Sequence, residues 1–274
     1  MICWLNGVLG DIEQARIDPR DRGFLLGDGI FETLLAEAGG VRRVRRHLAR
    51  LRGAAALLDI ALRYPDDEII AAMQSLLSGN RLLQDRAVVR LTLTRGPGGR
   101  GIQPALQTSP TLVITADAAP PPPVGVRAVL STILRNERSI ICGIKSLNYL
   151  DNILARREAA ARGAGEALLR NHGGGIAGAS AANIFIVRDS TLLTPPLSEG
   201  ALPGIMRGCV MQAANRLQLP LRETRIDLAD LQAAQEAFVS NALIGVCPLL
   251  EFEGRAIAPG PMTRALRDEA ALLD

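Results

Sequence analysis

The sequence predicts an α+β protein of two domains, and three observations support this. Short apolar runs typical of strands are interleaved with segments whose apolar residues recur at helical spacing. Residues 118–124 include four consecutive prolines, which no strand or helix accommodates because each fixes φ and lacks an N–H. The 274 residues, 48% of them hydrophobic, suffice for one or two cores. We therefore predict a domain over 1–118, a stiff linker over 119–124 and a second domain over 125–274.

The first domain is predicted to contain four strands and two helices. Residues 87–94 (AVVRLTLT) are rich in β-branched side chains, as strands are. In the first helix, Leu48, Leu51 and Ala55 recur close to the helical period. The predicted strands cover 1–8, 30–36, 87–94 and 111–115, the helices cover 44–62 and 68–77, and structured loops cover 18–29 and the glycine-rich residues 95–101.

The second domain is predicted to alternate short strands with three helices. Met206, Val210, Ala213 and Leu217 lie on one face of a helix that begins at Gly204. The glycines of 163–165 end an earlier helix. The predicted strands cover 126–130, 166–170, 183–187, 191–194 and 236–240, a turn and strand cover 241–248, and the other helices cover 151–162 and the C-terminus.

The charge and hydropathy patterns exclude two classes of partner. The 31 basic and 28 acidic side chains are interspersed and leave a formal charge of +3, which is too weak for nucleic-acid binding. The longest apolar stretch, residues 242–250, spans about half a bilayer and contains a proline. The N-terminus lacks the layout of a signal peptide. We therefore expect a cytoplasmic protein that acts on a small molecule and binds neither nucleic acid nor membranes.

The cysteines and histidines do not form a metal-binding pattern. None of the four cysteines has the paired spacing of a zinc ribbon or a disulfide framework, and only two histidines are present. We therefore predict no metal site. The residues concerned are Cys3, Cys142, Cys209, Cys247, His47 and His172.

A single lysine, Lys145, stands among thirty arginines. Most exposed lysines can be replaced by arginine, so a strong preference for arginine explains the thirty but not the exception. A guanidinium stays protonated and cannot form a Schiff base, whereas an amine in a pocket can attack a carbonyl. Lys145, which follows the apolar residues 139–144 and is predicted to lie at a strand end, is therefore a candidate covalent residue. A surface lysine that remains by chance is the alternative.

Residues 200–207 (GALPGIMR) place a glycine–proline–glycine loop at the start of a helix. The first amides of a helix have no intrahelical partners, and together with the helix dipole they can bind an anion. An ordinary helix entry is the alternative. Arg50 could add a bidentate phosphate contact. An amine nucleophile together with an anion site indicates pyridoxal 5'-phosphate, a cofactor that carries both an aldehyde and a phosphate.

Seven motifs in register now support a resemblance over nearly the whole chain. The sequence resembles class IV, fold-type IV pyridoxal-phosphate enzymes, which include branched-chain and D-amino-acid aminotransferases and aminodeoxychorismate lyase. The resemblance implies a smaller N-terminal α/β domain, a larger C-terminal pseudo-barrel domain and a homodimer. The motifs are 21–24 (DRGF) with 27–33 (GDGIFET), 47–51 (HLARL), 95–101 (RGPGGRG), 144–150 (IKSLNYL), 181–185 (AANIF), 202–207 (LPGIMR) and 240–243 (SNAL).

The resemblance also implies roles for individual residues. Lys145 would form the Schiff base and move the proton, assisted by Thr33, and Tyr149 would hydrogen-bond the phenolic oxygen of the cofactor. Arg50 would bind the phosphate together with the amides near Ile205 and Met206. The remaining cofactor-binding candidates are Gly204, Asn183, Gly178, Asn241 and Ala242, and the substrate-binding candidates are Thr33, Phe31, Arg100 and Arg95.

Gly178 departs from the pattern of these families. A glutamate usually stands five residues before the asparagine of the motif at 181–185, where it keeps the pyridine nitrogen protonated, and here that position is Gly178. A weaker electron sink suits a reaction in which aromatisation supplies driving force. The motifs at 95–101, 181–185 and 240–243 resemble the lyase more than the transaminases, so the sequence favours a 4-amino-4-deoxychorismate lyase. A D-amino-acid or branched-chain aminotransferase, and an inactive cofactor-binding paralogue, remain as alternatives.

Overall fold

The computed structural model describes residues 1–274 and consists of two compact units. Unit 1 contains Met1–Pro121 and Lys145–Asn148, and unit 2 contains Pro122–Ile144 and Tyr149–Asp274. The first division falls within the predicted linker. The contiguous second domain predicted over 125–274 differs from this arrangement, because Lys145–Asn148 runs beside a strand of unit 1 and hydrogen-bonds to it.

Unit 1 is a six-stranded antiparallel sheet with helices packed on it. The strand order is β2-β1-β6-β5-β3-β4, in which α2 packs on β3, and α3 packs on β6 and β1. The elements are β1 Ile2–Leu5, β2 Val8–Asp11, α1 Arg22–Leu26, β3 Gly29–Glu37, β4 Gly40–Val41, α2 Val44–Leu57, α3 Asp66–Gly79, β5 Ala87–Thr94 and β6 Thr111–Ala118.

Three predicted elements of unit 1 are corrected by the structure. The strand predicted over 1–8 is a hairpin, because Asn6 and Gly7 adopt positive φ angles of 50° and 94° and turn the chain between β1 and β2. The loop predicted over 18–29 contains α1, whose N-terminus is capped by Asp21 accepting from Gly23 N at 2.8 Å. The helix predicted over 44–62 ends earlier, at Leu57.

Unit 2 contains nine strands in one mixed sheet. Their order is β12-β11-β10-β13-β14-β7-β8-β9, with β15 paired to β14; β7 is parallel to both β8 and β14. The elements are β7 Val126–Leu130, α4 Leu150–Ala161, β8 Glu166–Arg170, β9 Ile176–Ala179, β10 Asn183–Arg188, β11 Thr191–Thr194, α5 Ile205–Arg216, β12 Leu221–Glu223, α6 Leu228–Gln232, β13 Glu236–Asn241, β14 Gly245–Phe252, β15 Arg255–Ala256 and α7 Pro261–Ala271.

The core of unit 2 anchors the helix that carries the predicted anion site. Phe185 of β10 and Phe238 of β13 are fully buried and stack with their ring centroids 5.0 Å apart. Met206 and Val210 of α5 belong to the same apolar cluster, as the helical spacing predicts. Burial of this face fixes α5 on the sheet and so fixes the position of its N-terminus.

The observed elements confirm the predicted α+β class. Each unit packs helices against a sheet whose central strands, such as β3 in unit 1 and β10 and β13 in unit 2, are largely buried. None of the helices combines the length and the apolar character needed to span a bilayer.

Candidate active site

Lys145 lies beside the first strand residues of β3. Its carbonyl oxygen accepts from Phe31 N at 2.9 Å, and Leu147 N donates to Gly29 O at 2.9 Å. The apolar residues before it do not form the predicted strand, because Ile140–Gly143 is a short 3-10 helix that begins when Ser139 caps Ile141 N. These backbone hydrogen bonds fix the position of the Lys145 Cα, from which the side chain extends.

The Lys145 amine rests against an aromatic ring that also contacts an arginine. Lys145 Nζ is 4.3 Å from the centroid of the Phe31 ring, and Arg90 Cζ is 3.9 Å from the same centroid. Arg90 of β5 pairs directly with Thr33 of β3, so Thr33 and Arg90 share a sheet face with Phe31. The structure thus brings three predicted residues, Lys145, Phe31 and Thr33, together in unit 1.

Arg90 is a candidate site residue that the sequence reasoning missed. It is exposed and lies in the middle of β5, between the buried residues Val89 and Leu91. A charged residue in a strand whose other residues are uncharged was the available signal. Two cations on one sheet face suit an anionic substrate.

Arg50 occupies the opposite face of β3, together with two other polar side chains. Glu32, His47 and Arg50 are hydrogen-bonded to one another, and Glu32 and His47 are each only 1% exposed. Burial raises the pKa of Glu32, but the hydrogen bonds from Arg50 and His47 outweigh it, and the pKa lies below its ordinary value. Glu32 is therefore an ionised carboxylate that holds the guanidinium of Arg50.

The glycine-rich loop after β5 is anchored by a buried ion cluster. Asp28 accepts from Arg22 Nε at 2.8 Å and from Arg95 Nε at 2.8 Å, while Arg22 also donates to the carbonyls of Gly101 and Ile102. Burial raises the pKa of Asp28, but the two arginines outweigh it and lower the pKa overall.

The two arginines predicted to bind substrate therefore have different surroundings. Arg95 is 9% exposed and donates to Asp28 and to the carbonyls of Leu58 and Asp59. This geometry gives Arg95 a structural role in holding the loop. Arg100 is exposed on the loop itself. The predicted contact of either residue with a substrate stays a prediction.

The N-terminus of α5 provides backbone donors in unit 2. Gly204 is its N-cap and offers no side-chain cap, so the amides of Ile205 and Met206 retain their capacity to bind an anion. Asn183 Nδ2 donates to Leu202 O at 2.9 Å and fixes the loop that leads into the helix. A Cβ at position 204 would lie 2.0 Å from Asn183 Oδ1, so this close approach requires glycine.

A second turn of unit 2 contains the predicted residues Asn241 and Ala242. Asn241 Oδ1 accepts from Leu243 N and Ile244 N, both at 2.9 Å, and its Nδ2 donates to Ala181 O at 3.0 Å. Asn241 therefore shapes the turn between β13 and β14 and ties it to the segment before β10.

Gly178 lies in β9, opposite Leu169 of β8, and supplies no carboxylate. The nearby buried acid Glu166 is fully engaged: it accepts from Ala167 N at 2.9 Å, from the hydroxyl and amide of Ser180, and from Arg156. Glu166 thus holds the turn after β9.

The remaining predicted cofactor contact is Tyr149. It is the half-buried N-cap of α4. The predicted site residues consequently form one group in each unit. Unit 1 holds Lys145, Phe31, Thr33, Arg50, Arg95 and Arg100, and unit 2 holds Tyr149, Gly178, Asn183, Gly204, Ile205, Met206, Asn241 and Ala242.

With this geometry established, comparison with known proteins decides the family. The model of amino-transferase class IV matches residues 29–252, which include both groups of predicted site residues. The chain belongs to the class IV aminotransferase family. The predicted resemblance is confirmed.

Two relatives of this class IV enzyme are named as aminotransferases. A putative branched-chain-amino-acid aminotransferase of Methanocaldococcus jannaschii is 33% identical, over 98% of this chain and 95% of that protein. A D-alanine aminotransferase of Listeria monocytogenes is 29% identical, over 96% of this chain and 92% of that protein.

Solved structures confirm the fold-type IV architecture and include a lyase. The 4-amino-4-deoxychorismate lyase of Pseudomonas aeruginosa superposes with a TM-score of 0.85 at 31% identity, over 97% of each chain. The T.th. branched-chain amino acid aminotransferase, crystallised with pyridoxamine 5'-phosphate, superposes with a TM-score of 0.90 at 25% identity, over 98% of this chain and 92% of that one.

The cofactor of this class IV enzyme is pyridoxal 5'-phosphate, and its residues fit that group. Lys145 provides the only side-chain amine of the chain and is half-buried. The uncapped N-terminus of α5 suits a phosphate, since a twelve-residue helix ends there in backbone N–H groups.

Proposed function

We propose that this enzyme is a pyridoxal-phosphate-dependent 4-amino-4-deoxychorismate lyase, which releases pyruvate and forms 4-aminobenzoate. The observation that carries the proposal is Gly178: the position at which related enzymes usually present a glutamate to the ring nitrogen holds no carboxylate. The similarity to the Pseudomonas aeruginosa lyase over 97% of each chain supports the same conclusion.

The lyase reaction fits a site without that carboxylate. Bound pyridoxal phosphate supplies an electron sink, and the sink is strongest when a carboxylate keeps its ring nitrogen protonated. Loss of pyruvate leaves an aromatic ring, so aromatisation contributes driving force that transamination lacks. All atoms of the substrate are recovered in 4-aminobenzoate and pyruvate, and no co-substrate is needed.

Each group of site residues has a proposed task in this reaction. Lys145 would hold the cofactor and would then move a proton at the substrate, with Thr33 beside it on the sheet face. Phe31 keeps the amine in place through its ring. The cation of Arg90 on the same face favours a substrate with carboxylates. The glycine-rich loop, including Arg100, is proposed to contact the substrate.

The unit 2 group and Arg50 are proposed to bind the cofactor. Arg50 and the amides of Ile205 and Met206 bind the phosphate. Asn183 and Asn241 shape the loops in which those amides and Ala242 lie. Tyr149 would donate to the phenolic oxygen of the cofactor, as the resemblance implies.

The second candidate is a branched-chain or D-amino-acid aminotransferase. The relatives from Methanocaldococcus jannaschii and Listeria monocytogenes favour it, since both are named as aminotransferases. It would use the same Lys145 in two half-reactions and would require a 2-oxo acid.

Product analysis separates the candidates. Purified holoenzyme is incubated with 4-amino-4-deoxychorismate alone, and 4-aminobenzoate and pyruvate are quantified; a Lys145→Ala variant is the control. We expect both products in equal amounts without a 2-oxo acid. Rapid amino-group transfer between amino acids and 2-oxo acids, with no 4-aminobenzoate formed, would overturn the lyase assignment. A holoenzyme inactive in both assays would instead be the cofactor-binding paralogue.

We also propose that the enzyme is a homodimer. The short helix α1 exposes Phe24, Leu25 and Leu26, whose exposed fractions are 77%, 58% and 50%. Three adjacent exposed apolar side chains mark an interaction surface, which a second copy of the chain would cover. Light scattering of the purified protein tests this, and a monomeric mass at micromolar concentration would refute it.

A further inference from the structure

The side chains of Glu32, His47 and Arg50 contact one another, and their geometry indicates that one of them positions another. Arg50 Nε donates to Glu32 Oε1 and Arg50 Nη2 donates to Glu32 Oε2, both at 2.7 Å. His47 Nδ1 lies 2.7 Å from Glu32 Oε2. All three side chains lie in unit 1, on β3 and α2. The bidentate contact fixes both the position and the plane of the guanidinium.

Packing between β3 and α2 does not by itself require a carboxylate here. Leu34, two residues along the same face of β3, is fully buried, as are Leu48 and Leu51 of α2. A buried ion pair is often no more stabilising than apolar side chains of similar volume. The charge of Glu32 therefore calls for an explanation other than stability.

The contact between His47 and Glu32 buries a polar ring that has only one of its two nitrogens hydrogen-bonded. Burial lowers the pKa of His47 in spite of Glu32, so the ring is neutral. Because the ionised Glu32 can only accept, Nδ1 carries the ring proton and Nε2 is an acceptor. His47 Nε2 is buried and has no hydrogen-bond partner. The imidazole thus donates to Glu32 through Nδ1 and accepts no hydrogen bond at Nε2.

We propose that Glu32, held in place by His47, is a positioning residue for Arg50 that aims its guanidinium at the phosphate of the cofactor. The inference rests on the proposed phosphate-binding role of Arg50. The contact with Glu32 uses two of the five N–H groups of Arg50, on one edge of the guanidinium.

The direction in which neutralising Glu32 changes phosphate affinity distinguishes a positioning role from a purely electrostatic one. Glu32 is an anion, so as a charge alone it repels phosphate, and its neutralisation would tighten phosphate binding. As a positioning residue it strengthens phosphate binding, and its neutralisation weakens it.

The measurement compares pyridoxal 5'-phosphate with pyridoxal, which has the aldehyde but no phosphate. The ratio of the two dissociation constants, here called the phosphate advantage, isolates the contribution of the phosphate. Both adducts form at the same amine, Lys145, and are read by absorbance and by mass after borohydride reduction. We expect Glu32→Gln to lower the phosphate advantage about tenfold, the size of one charge-assisted hydrogen bond, with pyridoxal affinity unchanged.

A double-mutant cycle tests whether Glu32 acts through Arg50. Arg50→Met removes the guanidinium, and in that background Glu32→Gln is expected to cause no further loss of the phosphate advantage. Glu32→Asp, which keeps the charge on a shorter side chain, is expected to give an intermediate value. Glu37→Gln at the end of the same strand is the matched control. If Glu32→Gln does not fold, His47→Gln replaces it, and the expected loss is smaller but has the same sign.

The outcomes separate the inference from the proposed function. An unchanged or larger phosphate advantage in Glu32→Gln overturns the inference, and so does an equal loss of affinity for both aldehydes. The inference is also overturned if Glu32→Gln lowers the phosphate advantage as much in the Arg50→Met background as in the wild type. Failure of the wild-type chain to form a Lys145 adduct with either aldehyde overturns the proposed function itself.

Discussion

Replacing Asp28 by asparagine removes the charge on which two buried arginines depend. The side chains of Arg22 and Arg95 are 5% and 10% exposed, and that of Asp28 is 17% exposed. Three hydrogen bonds of 2.8 to 3.1 Å join them. The asparagine amide would keep one acceptor oxygen but would leave two guanidinium charges buried without a counter-charge.

The magnitude follows from the geometry of this cluster. Breaking a buried ion pair from one side costs about 3–5 kcal/mol, and the partial exposure of Asp28 places the loss at about 3 kcal/mol. At roughly 2–4 °C per kcal/mol, the melting temperature should fall by roughly 6–12 °C. Because Arg22 also binds the carbonyls of Gly101 and Ile102, the glycine-rich loop should become more susceptible to proteolysis.

Urea unfolding and calorimetry at pH 7 measure the loss of stability in Asp28→Asn. The pH dependence of stability is a second test. The pKa of Asp28 is lowered in the folded state, so its contribution is present above the unfolded pKa and is lost as pH falls through the folded one. Stability differences between wild type and Asp28→Asn should therefore shrink in acid. Asp18→Asn, which breaks an exposed pair with Arg20, is the control and should change little. If Asp28→Asn destabilises no more than Asp18→Asn, the reasoning is refuted.

Three further predictions concern the cofactor site and pH. Gly204→Ala should weaken binding of pyridoxal phosphate at least tenfold, because its Cβ would lie 2.0 Å from Asn183 Oδ1; Gly208→Ala, with open space around its Cβ, should bind normally in the same titration. Gly178→Glu places a Cβ 3.3 Å from the carbonyl oxygen of Ala182 on a backbone with φ of 158°, so the variant is first checked for an unchanged unfolding transition; the folded variant should speed amino-group transfer from amino acids in single-turnover absorbance assays, and an unchanged rate would contradict the role assigned to this position. Because burial lowers the pKa of His47, stability should decline as pH falls below about 6.5, and urea midpoints for His47→Gln should decline less over that range.

Much of the local structure was predictable because it depends on short-range patterns. The strands 126–130, 166–170 and 191–194 agree with β7, β8 and β11 to the residue, since β-branched and apolar residues are bounded there by turn signals. The hairpin at Asn6 and Gly7 is also encoded locally, by an Asn-Gly pair inside the segment predicted as one strand.

The contacts of the charged side chains were not predictable in the same way. Arg95 and Arg100 belong to one motif, yet Arg95 is buried against Asp28 while Arg100 is exposed. Glu32 lies inside another motif, and no sequence pattern indicates that Arg50 and His47 both bind it. Such partners are far apart along the chain, and neither periodicity nor composition encodes which of thirty arginines meets which acid.

The sequence by itself determined the chemistry: one amine among guanidiniums, an uncapped helix start and seven ordered motifs identify a family and its cofactor. Only the tertiary structure decided that Lys145 runs along β3 against Phe31, that Arg90 shares this face, and that Glu32 holds Arg50. The reason is physical, because residue type fixes what a side chain can do, whereas strand pairing and helix packing between distant segments fix what it meets.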